Sequence, residues 1–241
     1  MGGPETKESQ TLRRCNSSGR ADAMWDERIL FEDAEALVID KPAGLAVHPG
    51  PGTRESLEDY LGALKLGFQR EPQPVHRLDR DTSGCLLLAR NPKALKRFAQ
   101  AFEAGAVEKR YLAIVEGVPR EESGRIELAL SKQSTRAEGW RMVPDERGKP
   151  SATRWRLVET RGGRSALLFE PETGRTHQVR VHAASGLGTA IVGDPVYGRA
   201  TGPMLLHALA LRLERPGKRP IEAAAPLPPT FHQAGFGDVR L

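Results

Sequence analysis

The sequence predicts an α+β protein built on a large mixed, mainly antiparallel β-sheet flanked by helices and loops. Three observations predict it. Short apolar runs bounded by Gly, Pro, Asn and Asp recur along the chain, as strands and turns do. The three-and-four spacing of a helix appears in only three or four interspersed segments. No regular strand–helix–strand alternation links them, so a doubly wound parallel sheet is not expected.

The elements follow in chain order. Met1 to Met24 is polar and rich in Gly, Ser and Arg, and reads as a disordered leader; residues 25–241 read as a single domain. Ile29-Leu30-Phe31 and Ala36-Leu37-Val38-Ile39 read as two strands around the acidic turn Glu32-Asp33. Lys41-Pro42-Ala43-Gly44 breaks the second strand, and His48 to Gly52 is a surface loop. Leu57, Leu61 and Leu64 predict a helix over 56–66 with Ser56 as N-cap. Cys85-Leu86-Leu87-Leu88-Ala89 is wholly apolar and predicts a buried strand entered through a turn at Ser83-Gly84. Asn91-Pro92 predicts the cap and first position of a helix that buries Leu95, Phe98, Ala101 and Phe102 and stops at Gly105. Lys109 to Val115 is the next strand, and Arg120 to Arg125 a charged loop.

Between Leu130 and Ser151 the pattern turns polar, with bases at Lys132, Arg136, Arg141, Arg147 and Lys149; a long loop or hairpin of functional character is expected. Thr153 to Thr160 and Arg164 to Phe169 form a hairpin around Gly162-Gly163. Thr176 caps a short helix that closes near Gly186, and Leu205 to Leu213 alternates as a last strand.

Lys and Arg number 36 against 31 Asp and Glu, a net charge of +5 that leans towards an anionic partner such as nucleic acid. The two cysteines, Cys15 and Cys85, suggest neither a disulfide framework nor a zinc site and fit a reducing cytoplasm. No stretch approaches the roughly 18 apolar residues of a membrane span, and the N-terminus lacks the apolar centre of a secretory signal.

Val75 to Arg90 sets two carboxylates and three further charged bases directly against the apolar run. Charges at the margin of a core are costly unless paired or used. Arg77 and Asp79, two apart, share a face in an extended segment, and a carboxylate facing an arginine has the properties of a nucleophile or base. Thr173-Gly174-Arg175-Thr176, opening a short helix, presents N–H groups and a guanidinium to one point. His177 and His182 are five apart, which does not support a two-histidine metal face. No P-loop or dinucleotide fingerprint is present. Metal and nucleotide cofactors are therefore not expected.

Several motifs in order resemble the pseudouridine synthases of the RluA type. His76-Arg77-Leu78-Asp79 with Asp81-Thr82-Ser83-Gly84 is similar to the family signature. Val38 to Leu45 with Val47-His48, Lys109-Arg110-Tyr111, Gly174 to Arg180 with His182, Gly193-Asp194, Tyr197-Gly198, Leu206-His207-Ala208 and Ala225 to Pro228 resemble its other blocks. The resemblance covers Leu30 to Phe231. It implies the pseudouridine synthase catalytic fold and isomerisation of uridine to pseudouridine in RNA, without metal or organic cofactor. By similarity Asp79 would be the catalytic aspartate, Arg175 would pair with it and hold it ionised, and Tyr111 would pack against the target base. Arg77 would brace the space left by the extruded uridine, and Leu206 would form the apolar wall under the base. Many relatives carry an extra RNA-binding domain ahead of the catalytic one; the leader is too short for it, so the chain reads as the catalytic domain alone. The implied partner is ribosomal or transfer RNA, with the protein a cytoplasmic monomer and no membrane partner. Two other readings differ in what they need. A non-catalytic RNA-binding protein with a vestigial site would need the bases but not Asp79. A glycosidic-bond hydrolase would need a second carboxylate, with Asp81 nearest in sequence.

Overall fold

The computed structural model describes residues 24–50, 52–135 and 139–240. Its eleven described strands form one mixed sheet. They are β1 (Ile29–Glu32), β2 (Ala36–Lys41), β3 (Gln73–Pro74), β4 (Ser83–Ala89), β5 (Val107–Glu116), β6 (Ser123–Thr135), β7 (Gly139–Pro144), β8 (Lys149–Arg161), β9 (Arg164–Pro171), β10 (Leu206–Leu213) and β11 (Ile221–Ala224). The spatial order is β1-β2-β4-β10-β5-β9-β8-β6-β7, with β3 on β4 and β11 on β10. Every pairing is antiparallel except β4 with β10, where His207 faces Ser83 and Ala208 faces Gly84.

The apolar run of β4 is continuous because both faces of the strand are covered. Cys85, Leu87 and Ala89 pack with Ala94 and Phe98 of helix α1 (Pro92–Glu103). Leu86 and Leu88 pack on the other side with Leu57, Leu61 and Leu64. Full burial of each leucine stabilises the fold by about 1.5–3 kcal/mol, so this strand is a fixed point for the loop that precedes it. β5 is treated alike. Ala113 and Val115 face Val179 and Ala183, while Leu112 and Ile114 face Phe231 of the short helix α3 (Pro229–Gln233) and Phe236.

Gly84 lets β4 and β10 meet. Its φ is +105°, and a Cβ there would lie 2.2 Å from the Ala208 carbonyl oxygen. α1 begins as expected, with the Asn91 side chain accepting the Ala94 N–H at 2.9 Å and Pro92 in the first position.

Two local expectations change, the hairpin expected over 130–151 is present, and two short elements are added. Residues 56–66 form two 3-10 turns, Leu57–Tyr60 and Ala63–Lys65, broken at Gly62; the Asp59 carboxylate still accepts the Ser56 N–H at 2.8 Å. The turn before β4 lies at Asp79–Thr82, where the Thr82 N–H meets the Asp79 carbonyl, and Ser83 is already strand. The polar 130–151 segment is the β6–β7 hairpin and its return into β8, because β6 runs on to Thr135. After β10 the chain adds β11 and α3, whose short lengths leave little periodicity to read. The leader through Ala23, with Cys15, and Arg136 lie outside the described residues.

Candidate active site

The loop Val75–Thr82 is pinned at both ends. Val75 donates its N–H to Leu87, and Leu78 is buried among the leucines of β4. Lys41, at the end of β2, is wholly buried and donates to the carbonyls of Pro42, Leu45 and Arg80 at 2.7, 2.8 and 3.1 Å. Burial pulls its ammonium down to about 7, against the opposing charges of Asp81, Asp79 and Asp40. Three N–H donors to three carbonyls tie the loop backbone one residue past Asp79.

Asp79 faces a cavity of about 550 Å³. Arg77, Tyr111, Arg175, His177, Arg180 and Leu206 line the same cavity, so the sequence-predicted residues do converge there. The Arg180 guanidinium donates to Asp79 Oδ2 at 3.0 Å, and its Nε and second Nη grip the two oxygens of Asp194 at 2.8 and 2.7 Å. Asp194 is fully buried. Burial raises its carboxyl, but the Arg180 bonds and charge, with N–H bonds from Val196 and Tyr197, win and hold it below the ordinary value. Arg180 itself loses by desolvation, yet its two carboxylate partners raise it further above the usual guanidinium value. Asp79 Oδ1 has no hydrogen-bond partner among the described residues, and the carboxylate is 19% exposed towards the cavity.

The arginine paired with Asp79 is therefore Arg180, and not Arg175 as expected. Arg175 donates its Nε to the Pro150 carbonyl at 3.1 Å, and its backbone N–H meets Gln178 Oε1. The reason lies at His177, which takes a left-handed backbone (φ 54°, ψ 16°) and is the true N-cap of helix α2 (Gln178–Val181), in place of Thr176. Arg175 is thereby turned out over β8. His177 and Arg180, three apart and one helical turn from each other, face Asp79 together.

His177 adds a contact that spacing did not signal. The Met142 N–H donates to the Tyr197 hydroxyl at 2.9 Å, and that hydroxyl lies 2.9 Å from His177 Nδ1. The phenol oxygen accepts from Met142 and lies within hydrogen-bond reach of Nδ1; when it donates its proton to Nδ1, the imidazole carries its own proton on Nε2. Nε2 is 3.7 Å from Asp79 Oδ2. Burial lowers the His177 imidazole, aided by Arg180 and Arg77 and opposed by Asp79 and Asp194, so it stands as a neutral donor. Trp140, 45% exposed on β7, stacks on its outer face with ring centroids 4.9 Å apart. The signal for Asp194 and Tyr197 was the Asp-Pro-x-Tyr turn, in which an aspartate accepts N–H groups ahead of it.

Tyr111 on β5 has its phenol raised by burial and then by the charge of Asp79, so it meets the cavity as a neutral ring. Leu206 is 3% exposed and forms apolar wall. Arg77 is exposed at the mouth with no ion-pair partner among the described residues; it is not the partner of Asp79. Asp81 pairs with Arg80 at 3.0 Å and does not line the cavity. Lys132 sits over the Trp140 ring. Among the described residues no group of three His, Cys, Asp or Glu is placed to hold a metal ion, and no helix is long and apolar enough to cross a membrane.

Comparison with known proteins gives the family. A family model described as RNA pseudouridylate synthase matches residues 35–185. An uncharacterized RNA pseudouridine synthase of Zymomonas mobilis is 54% identical over 214 residues, covering 87% of this chain and 98% of that one. Ribosomal large subunit pseudouridine synthase D of the same organism is 39% identical over 193 residues, covering 76% of this chain and 60% of that one. The solved structure of human RNA pseudouridylate synthase domain containing 4 shares the fold, with TM-score 0.77 at 23% identity over 93% of this chain and 98% of that one.

Proposed function

Because the chain belongs to the RNA pseudouridylate synthase family, of the RluA type, and is an isomerase acting on RNA, we propose that Asp79 is its catalytic aspartate, acting on uridines in ribosomal RNA. The observation that carries the assignment is the asymmetric carboxylate. Oδ2 is held by Arg180 and faces His177, while Oδ1 is unengaged and opens to a cavity with room for a nucleoside.

A stacked uridine cannot reach that carboxylate, so it is extruded into the cavity, and Arg77 at the mouth braces the gap it leaves. Asp79 then acts on the ribose. Attack at C1′ and removal of the C2′ proton both need an unengaged carboxylate oxygen, as Oδ1 is. The N1–C1′ bond breaks, the uracil turns between Tyr111 and Leu206, and the C5–C1′ bond forms. C5 gives up its proton and N1 gains one, so the reaction is an isomerisation. A neutral Tyr111 packs against the base throughout, while Arg180 positions Asp79. Arg175, Lys132, Arg147 and Lys149 contact phosphates at the rim.

Ribosomal RNA is favoured over transfer RNA by the likeness to a ribosomal large subunit synthase. One domain over 25–241 is supported by the single sheet that joins all the described strands; a monomer acting in the cytoplasm is proposed with it. Mapping pseudouridine in cellular RNA with and without the gene tests the substrate. For the residue, Asp79→Asn and Asp79→Ala are expected to abolish conversion while RNA binding survives; substantial turnover by either variant refutes the assignment.

A further inference from the structure

Five lysine and arginine residues are buried among the described residues: Lys41, Arg90, Lys109, Arg180 and Arg215. Four have acceptors. Lys41 has three carbonyls and Arg180 two carboxylates; Arg90 reaches Glu32 and the Lys65 carbonyl, and Arg215 reaches Asp33 and the Arg219 carbonyl. Lys109 has neither a hydrogen bond nor an ion pair among the described residues, although only 9% of it is exposed. Its ammonium is lowered by burial, with no opposing partner. A desolvated charge with no counter-charge is unfavourable, and it marks a position completed by something the free protein lacks.

The surroundings narrow what that is. β5 alternates, so Val107, Lys109 and Tyr111 share a face while Glu108 and Arg110 are exposed on the other. Lys109 lines the Asp79 cavity together with Phe102 and Glu103 at the end of α1. Its Nζ lies 5.9 Å from the centre of the Phe102 ring, which stacks on His76 with centroids 4.3 Å apart. His76 offers no anion. Its Nε2 accepts the Leu87 N–H at 3.0 Å, and burial with the Lys109 charge pushes it down to about 3. Two carboxylates line the same lobe. Glu172 is taken by Arg125 and Arg154, and Glu103 is exposed on the rim at the end of α1 with no ion pair among the described residues. The lobe thus holds an unpaired cation, an aromatic pair and an open rim, two residues along the strand from the ring assigned to the target base.

We propose that Lys109 is the anchor for a backbone phosphate flanking the extruded uridine, binding a non-bridging phosphate oxygen when the nucleotide enters. This rests on reading the cavity as the uridine pocket. Uracil in the Tyr111–Leu206 half leaves its sugar-phosphate to cross the Phe102–Lys109 half. The phosphate then supplies the missing counter-charge inside the cavity, where the surrounding side chains leave Lys109 only 9% exposed.

The test uses the Asp79→Asn protein, so that binding is read without turnover, and a transcript of the ribosomal site found by mapping. Affinity is measured from 50 to 300 mM salt. Lys109→Met in that background is expected to weaken binding at least tenfold at low salt. It should also lower the slope of log K against log salt by about 0.7, the share of one single-strand phosphate contact. Lys109→Arg is expected to keep the slope. In the active protein, the Lys109→Met loss should fall in KM more than in kcat. Unchanged affinity and slope would overturn the assignment; so would weaker binding with an unchanged slope, which points to a uracil carbonyl instead. Thermal melting without RNA is the second measurement. Removing an unpaired buried charge should raise the melting temperature of Lys109→Met, whereas a fall reveals an internal partner such as Glu103 and refutes the premise. If the wild-type protein forms no pseudouridine in the transcript, the functional reading fails on its own, and the salt slope still reports on the phosphate.

Discussion

Arg180→Met isolates the bridge on which the site is built. The guanidinium joins Asp79 to a second carboxylate, Asp194, with no exposure at Asp194 and 6% at Arg180. Removing it leaves Asp194 buried with only two N–H donors, and stripping one partner from a buried pair costs about 3–5 kcal/mol. For a chain of this size each kcal/mol shifts the melting temperature by about 2–4 °C, so a fall of about 6–20 °C is expected. The sign of the pH dependence follows from Asp194. In the wild type its carboxyl is held low, so its stabilising contribution is present above the unfolded value of about 3.9 and is lost as pH falls through the folded one. In the variant burial acts without Arg180 and raises the carboxyl, so the folded state takes up a proton as pH falls. The gap between variant and wild type should therefore narrow from pH 7.5 to pH 5. Adding Asp194→Asn removes the stranded charge and should recover most of the loss at pH 7.5. Turnover should drop by at least about 10²-fold in both variants, the scale of losing one preorganised charge-assisted contact. Arg175→Ala is the matched control, with wild-type melting and any loss confined to RNA binding. A melting temperature for Arg180→Met within about 2 °C of wild type, or a gap that does not change with pH, refutes the bridge.

Three further outcomes follow from the same geometry. Gly84→Ala places a Cβ against the Ala208 carbonyl at a backbone angle hostile to side chains, so urea denaturation should show a loss of at least about 2 kcal/mol or no folded protein; wild-type stability would mean β4 and β10 do not meet as described. Tyr197→Phe removes the hydroxyl that bridges Met142 N–H and His177 Nδ1 and should lower kcat about two- to tenfold, the scale of one hydrogen bond, with a melting temperature lowered by a few degrees for the unmet Met142 N–H; a loss seen only in KM would contradict that role. Trp140 fluorescence should fall as His177 becomes charged, with a midpoint below the ordinary imidazole value of about 6.5, and Trp140→Phe should remove the transition; a midpoint above 6.5 contradicts a lowered imidazole.

The sequence by itself determined the features whose cause is local or periodic. A run of five apolar residues can sit only where both faces are covered, and β4 does, between α1 and the leucines of 57–64. Asn91-Pro92 fixes the start of α1 through one side-chain bond, and Gly162-Gly163 closes the β8–β9 hairpin. The ordered motifs brought Asp79, Tyr111 and Leu206 to one cavity, because each sits on or beside a strand whose face follows from alternation. Tertiary structure alone decided which arginine serves Asp79. The two partners are 101 residues apart, and the choice turns on one left-handed residue, His177, that re-aims everything after it. It also decided that Asp194 anchors Arg180 and that Lys109 is buried without a partner. Spacing records which residues share an element's face, whereas a contact between distant elements depends on the path of the chain between them.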